Sequence, residues 1–264
     1  MTILEAIFLG IVQGVTEFMP VSSSGHLLLL KDMMGIEASG VEFEIAVHAA
    51  TVLSTIIVFR KEILSLLAGL FKFDYNDETA YICKIVLSML PILVAGVLFK
   101  SRIEELFNAG VLVAGVFLLV TSALLLLSHF IRPKGRPLTY SSAFVIGLAQ
   151  AFAVVPGLSR SGATISTGLL LGVSRDEVAK FSFLMVLVPV LGEAALKLLS
   201  GEFSGESAGV GALPLLFGFL AAFIFGLVAC KVVISLVKRA KLTGFAIYCA
   251  VIGVIAIVMS YIVS

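Results

Sequence analysis

The sequence predicts an all-α polytopic membrane protein. It reads as an inverted repeat of two halves, each one re-entrant helical hairpin plus three transmembrane helices. Three observations lead there. First, the chain is 60% hydrophobic and 13% charged over 264 residues, with a mean hydropathy of +1.16, more apolar surface than a soluble core needs. Second, six runs approach the ~20 apolar residues that cross a bilayer. Third, two apolar segments broken by Gly, Pro, Ser and a charged residue look like copies of one another. Gly10, Gln13, Ser22, Ser24 and Gly25 fall on Gly147, Gln150, Ser159, Ser161 and Gly162 at a single offset of 137 positions.

In chain order, the first broken segment is 1–30 and is followed by apolar runs at 41–59, 82–99 and 109–131. The second broken segment, 141–173, is followed by runs at 181–199, 211–237 and 243–263. Irregular backbone exposed to lipid leaves N–H and C=O groups unpaired, so the broken segments are expected as hairpins buried among the spans. With three spans per half, residues 138–264 enter the membrane from the side opposite to residues 1–137, an arrangement that recurs in secondary transporters.

Charge sets the expected orientation. Arg60, Lys61 and Lys72, then Arg132, Lys134 and Arg136, then Lys231, Lys238, Arg239 and Lys241 mark connections assigned to the cytoplasm. Acidic connections at 31–44 and 200–210 are assigned outside, together with both termini. The 100–105 loop opposes this assignment with Lys100 and Arg102 against Glu104 and Glu105. No cleavable signal peptide is expected, because a basic n-region is missing from the first residues. A net charge of +1 gives no reason to propose nucleic acid. Cys83, Cys230 and Cys249 lie singly in apolar runs without metal-ligand spacing and read as membrane-packing residues.

The broken segments carry the chemistry. In the first, Gln13 and Glu17 are four apart and share a helix face. Pro20 then ends regular helix, and Ser22, Ser23, Ser24, Gly25 and His26 follow. A helix start rich in hydroxyls suits an anion. In the second, Pro156-Gly157-Leu158-Ser159-Arg160-Ser161-Gly162-Ala163-Thr164 holds the only cation between Arg136 and Arg175. A guanidinium stays ionised when buried, and its fork of donors matches phosphate oxygens. Together the segments supply a carboxylate, an imidazole, an arginine and a cluster of hydroxyls: a phosphate site with acid–base equipment at membrane depth.

Plainer readings exist for each residue. Glu17 and Arg160 would pair as a structural ion pair, His26 would be a hydrogen-bonded core histidine, and single serines would bond back to helix carbonyls. For His48 a place near the site is weighed against satisfied structure in an apolar run, the favoured reading, and His129 reads as interfacial.

Gln13-x-x-x-Glu17, Pro20-Val21-Ser22-Ser23-Ser24-Gly25-His26 and Pro156-Gly157-x-Ser159-Arg160-Ser161-Gly162-x-Thr164 closely resemble the undecaprenyl-pyrophosphate phosphatases of the bacitracin-resistance family. Length, hydropathy and Phe181-Ser182-Phe183-Leu184 are similar too, so the resemblance spans essentially the whole chain. It implies a bacterial inner-membrane hydrolase. The reaction removes one phosphate from the C55 isoprenoid pyrophosphate and frees the monophosphate carrier for peptidoglycan synthesis. It also implies a divalent cation, Mg²⁺ or Ca²⁺, for which Glu17 is the candidate ligand. Some members carry Glu where this chain has Gln13; a neutral amide brings neither a base nor a charge, which leaves the acidic role to Glu17. The expected partners are the lipid pyrophosphate and membrane lipid, with a homodimer left open.

The roles expected are these. Arg160 clamps the pyrophosphate and stabilises transition-state charge. Ser159, Ser161, Gly162 and Thr164, with Ser22, Ser24 and Gly25, cradle phosphates, and Gln13 contributes hydrogen bonds. Ser23 is the candidate nucleophile, with His26 or Glu17 as proton acceptor; Ser23 and His26 are i, i+3 neighbours. Attack by His26 itself, or by water activated at Glu17, stays open. Two rivals are weighed. A type-2 phosphatidic-acid-phosphatase-like enzyme needs a second His soon after Ser159-Arg160, and no His follows His129. An inverted-repeat lipid transporter or flippase is the rival from another class.

Overall fold

The computed structural model describes residues 1–36, 41–131, 134–199, 210–239 and 242–263. Every element among them is helical. They are α1 (Ile3–Phe18), α2 (Ser23–Met33), α3 (Val41–Val58), α4 (Arg60–Leu70), α5 (Asp77–Leu98), α6 (Lys100–Asn108) and α7 (Gly110–Phe130). The second half continues with α8 (Tyr140–Phe152), α9 (Arg160–Leu170), α10 (Arg175–Leu199), α11 (Ala212–Lys238) and α12 (Thr243–Val263). By length and composition α5, α7, α11 and α12 are able to cross a membrane, and α3 with α4 forms a fifth candidate span bent by 74°. The chain is a multi-pass membrane protein.

Two expectations are corrected. The basic stretch 60–72 and the loop at 100–105 were expected as connections; most of the first is helix α4, and the second begins helix α6. Both helices are short and mix charge with apolar side chains, so neither has the apolar length that marks a span. The run at 181–199 lies within α10, which starts six residues earlier and carries Arg175, Asp176, Glu177 and Lys180 in its first turns. Of the acidic connections, 37–40 and 200–209 lie outside the described residues, while Asp32 lies in the last turn of α2 and Glu42 and Glu44 in the first turn of α3. Of the cysteines, Cys230 and Cys249 are packed inside; Cys83 is exposed on α5 rather than packed.

The helices start where side chains supply missing backbone partners. Thr2 and Glu5 make a capping box on α1, and Thr139 and Ser142, each 137 positions later, make one on α8. Ser22 caps α2 by accepting from Gly25 N–H at 3.3 Å, and Ser159 caps α9 by accepting from Gly162 N–H at 3.0 Å. Ser22 and Ser24 hydroxyls stand 3.3 Å apart, as do those of Ser159 and Ser161. The sequence offset is thus repeated in the local hydrogen bonding of both hairpins.

Packing follows the same pairing. Helix α1 lies along α11 and α8 along α5. Gly10 meets the backbone of Gly218 so closely that a Cβ would overlap its carbonyl oxygen, and Gly147 meets Ser88 of α5 in the same way. Gly14 repeats the contact on Ala222 one turn further on. Small residues four apart let two helices touch backbone to backbone, which is how helices associate where burial from water gives no drive. Helix α7 packs on α12, and each braces one hairpin turn. Thr121 of α7 donates to the Gly157 carbonyl at 3.1 Å and accepts from Ser159 N–H at 2.9 Å. Cys249 of α12 approaches the Pro20 carbonyl at 3.6 Å.

Candidate active site

The two hairpin tips touch. Ser161 Oγ donates to the Met19 carbonyl at 3.1 Å. A Cβ on Gly25 would lie 3.1 Å from Gly157 Cα. Gly157 itself has φ +89°, and a side chain there would overlap the Ala114 carbonyl of α7, so the second turn needs glycine on two counts. This contact brings the N-termini of α2 and α9 together. Their first-turn N–H groups have no intrahelical acceptor and carry the positive end of the helix dipole. Two such ends beside one cavity favour an anion there.

That cavity is bounded on its polar side by Glu17, Thr51, Arg160, Ser161 and Ser182, and on its apolar side by Phe18, Val52, Phe183, Val186, Leu187 and Val190. Ser23 occupies the first position of α2, and Arg160 the first position of α9, exactly one repeat offset apart in the chain. Ser23 Oγ donates to Glu17 Oε2 at 2.6 Å. Gln13 Nε2 donates to the same oxygen at 3.0 Å from the preceding turn of α1. The short Ser23 bond is charge-assisted and leaves the hydroxyl polarised towards its oxygen. Gln13 Oε1 is buried without a partner, as is Nη1 of Arg160. The structural ion pair between Glu17 and Arg160 does not form. The charged-type partner within reach of Glu17 is instead His48, with Nε2 3.8 Å from Oε2.

Among the sequence candidates Glu17, Arg160 and Ser161 line the cavity, and Ser23 and Gln13 join it through their hydrogen bonds to Glu17. The others hold the scaffold. Ser22 and Ser159 spend their hydroxyls as caps. Thr164 donates to the Arg160 carbonyl at 3.0 Å and is buried in α9, a back-bonded hydroxyl rather than a phosphate ligand. Ser24 faces Ser22, and Gly25 and Gly162 supply the N–H groups that the caps accept. His26 does not contact Ser23. Its Nδ1 meets the Ser22 carbonyl at 2.8 Å and its Nε2 meets Tyr248 Oη at 2.8 Å. A carbonyl only accepts, so Nδ1 carries the proton and Nε2 accepts from the tyrosine. Both ring nitrogens are thus engaged, and neither is bonded to Ser23.

Ser22 is one of two non-glycine residues with positive φ among the described residues, at φ 68° and ψ 96°. Such backbone costs about 1–3 kcal/mol and is held by its surroundings. Here it aims the start of α2 so that Ser23 reaches back to Glu17.

Three neighbours of the site were not among the residues the sequence assigned to it. Ser182, in α10, is buried with its hydroxyl unpartnered and lines the cavity. Its sequence signals were a hydroxyl inside an otherwise apolar run and its place in the family-like Phe181-Ser182-Phe183-Leu184 stretch, neither of which pointed to the site. His48 donates Nδ1–H to the Glu44 carbonyl at 2.8 Å, which turns Nε2 towards Glu17; its spacing of 31 from Glu17 carried no signal. Tyr248 lies 222 positions from the histidine it touches.

The comparisons with known proteins agree on one lineage. Residues 6–255 match the model of the family described as bacitracin resistance protein BacA. The chain belongs to the bacitracin resistance protein BacA family. A relative from Bacteroides fragilis is 50% identical over 262 residues, covering 97% of each chain. One from Parabacteroides distasonis is 51% identical over 260 residues, covering 97% of this chain and 98% of its own. One from Methanosphaera stadtmanae is 36% identical over 277 residues, covering 98% of both. All three carry the name undecaprenyl-diphosphatase. In this BacA-family chain Glu17 and Arg160 line one cavity, and the tip residue Ser23 is bonded to Glu17 beside it.

Proposed function

We propose that this chain is an undecaprenyl-diphosphatase, hydrolysing the C55 isoprenoid pyrophosphate to the monophosphate carrier and inorganic phosphate. The observation that carries the reading is the 2.6 Å bond from Ser23 Oγ to Glu17 Oε2 at a cavity shared with an under-bonded Arg160. Family membership and the names of the relatives support it.

The steps follow from these groups. The terminal phosphate lies between the first turns of α2 and α9, with Arg160 on its oxygens. Glu17 takes the Ser23 proton as Oγ attacks the terminal phosphorus. The new O–P bond forms as the bond to the bridging oxygen breaks, and the lipid monophosphate leaves with that oxygen. Glu17 gives the Ser23 proton to the departing monophosphate; water then attacks the phosphoserine and passes a proton to Glu17, which returns it to Ser23 Oγ as the Oγ–P bond breaks and phosphate leaves. Arg160 holds the charge that develops on the equatorial oxygens in both steps. His48, beside Glu17, is placed to share the proton that Glu17 collects. The apolar wall of Phe18, Val52, Phe183 and Val186 suits the first isoprene units.

A divalent cation, Mg²⁺ or Ca²⁺, fits this donor set. The orphaned Gln13 Oε1 sits beside the Glu17 carboxylate, and these two oxygens would hold the ion from the protein side. Among the described residues no group of three His, Cys, Asp or Glu gathers to hold a metal, so the remaining coordination would fall to pyrophosphate oxygens and water. When bound, the ion supplies neutralisation of pyrophosphate charge. The protein is a bacterial inner-membrane protein whose site opens to the outer face, with the basic connections inside.

Two experiments test this. Purified protein in detergent releases phosphate from the lipid pyrophosphate, loses that activity with a chelator and regains it with Mg²⁺ or Ca²⁺. No release refutes the phosphatase reading and favours a transporter, and undiminished release in chelator refutes the cation. For orientation, single cysteines at Ser39, Ser207 and Lys134 in a Cys-free background meet an impermeant thiol reagent on intact cells. Labelling at 39 and 207 alone is expected; labelling at 134 alone inverts the assignment.

A further inference from the structure

Helix α12 is an apolar span, and Tyr248 is a hydroxyl-bearing exception on its surface, half-exposed yet turned onto His26. The two rings stack with centroids 5.4 Å apart and planes within 5°. Tyr248 Oη reaches His26 Nε2 at 2.8 Å. From the other side of the ring, His26 Nδ1 reaches the Ser22 carbonyl at 2.8 Å, and the His26 backbone N–H reaches that carbonyl at 3.2 Å. That carbonyl belongs to the residue with the strained backbone, and the next residue is Ser23. The chain of contacts runs Tyr248, His26, Ser22, Ser23, Glu17.

We propose that Tyr248 and His26 form a positioning brace for the nucleophile. By donating to Nε2, Tyr248 fixes the histidine in its Nδ1–H tautomer. That proton then goes to the Ser22 carbonyl and holds the positive-φ turn that delivers Ser23 to Glu17. The imidazole is a rigid strut and exchanges no proton with substrate. This rests on the phosphatase reading for its kinetic consequences, but the tautomer it requires is a property of the resting protein.

The tautomer is read directly by ¹⁵N NMR of the protein in bilayers, where the chain's three histidines keep the spectrum simple. Wild type is expected to show a neutral Nδ1–H ring at position 26, and Tyr248→Phe a mixture of tautomers. An Nε2–H or doubly protonated ring in wild type overturns the brace whatever the activity. Kinetics give the second arm. Asn places an amide N–H near the position of Nδ1, so His26→Asn keeps the strut without an ionisable group. It is expected to retain kcat within about tenfold with the wild-type shape of the kcat–pH profile, whereas His26→Leu loses about a hundredfold or more. Tyr248→Phe lowers kcat by about three- to tenfold, the scale of one hydrogen bond, with KM within about twofold. In the His26→Asn background the same change adds less than about twofold, since the acceptor it served is gone. If His26→Asn is folded, by an unchanged melting temperature in detergent, and as inactive as His26→Leu, the ring does chemistry and the brace is wrong. Wild-type kcat in Tyr248→Phe overturns it equally. A wild-type protein that releases no phosphate while showing the Nδ1–H tautomer refutes the phosphatase reading and leaves the brace standing.

Discussion

Replacing Glu17 by Gln separates charge and basicity from shape at the centre of the site. The side chains are nearly isosteric, and the amide still accepts from Ser23 through its oxygen, so packing against Gln13 and Phe18 persists. Removing a carboxylate that is mostly buried also relieves its desolvation, and the melting temperature is expected to hold or rise. What disappears is the acceptor for the Ser23 proton, now 2.6 Å from Oε2. A positioned base contributes about 10²–10⁴ in rate, or about 3–5 kcal/mol of barrier. Glu17→Gln should therefore lower kcat for phosphate release by at least about a hundredfold. With the cation saturating, Gln13→Ala removes the 3.0 Å bond to the same oxygen and one neutral oxygen ligand but no base, and a hydrogen bond to a charged group is worth about 1.5–3 kcal/mol. Its loss should stay well below that of Glu17→Gln. The assay is phosphate release by purified protein in detergent, with substrate varied across KM. A Glu17→Gln enzyme within tenfold of wild type, or a Gln13→Ala enzyme equally damaged, would refute the assignment of Glu17 as the base.

Three further substitutions probe the same cavity. Arg160→Ala should abolish turnover with an unchanged melting temperature, since Nη1 has no protein partner to lose, and Lys should rescue poorly for want of the bidentate fork; near-normal turnover in Arg160→Ala would remove the phosphate clamp. Ser23→Ala should lose about a thousandfold or more, and substantial residual activity would pass the attack to water activated at Glu17. Ser182→Ala should raise KM by about tenfold at nearly constant kcat, because its unpartnered hydroxyl faces the cavity without touching Ser23 or Glu17; an unchanged KM would show that the hydroxyl does not meet substrate.

Both hairpins were legible because their signals are local. Pro20 and Pro156 with the following Gly and Ser interrupt apolar sequence, and the structure ends α1 at Phe18 and restarts at Ser23, ends α8 at Phe152 and restarts at Arg160. The polar residues of the cavity were legible for the same reason. Helices α4 and α6 were not, because a search for apolar length passes over short amphipathic helices. The division of labour within the motifs was also hidden. Sequence singled out Ser23 as the candidate nucleophile but did not show that Ser22 is the cap of α2 and that Ser23 bonds Glu17. His26 looked like an acid–base group on its i, i+3 spacing from Ser23. The spacing fails because its ring turns back to the Ser22 carbonyl and out to a tyrosine on the last helix.

The two hairpins share a cap, a hydroxyl pair and a helix start at one offset, and differ where chemistry requires it. At the first helical position one copy has Ser23 and the other Arg160; four residues after the shared glutamine one copy has Glu17 and the other Val154. The copies of His26 and Thr121 diverge as well: α12 braces the first turn through a histidine, while α7 braces the second through a threonine bonded directly to its backbone. The second turn tolerates the simpler brace because Gly157 takes positive φ without strain, whereas Ser22 does not. The added ring and tyrosine on the first side thus go with the turn that must hold a reactive serine in place. A repeat that sets two like helix ends together suits an anion, and the two copies differ at the positions where the proposed function puts the attacking serine with its base and the clamping arginine.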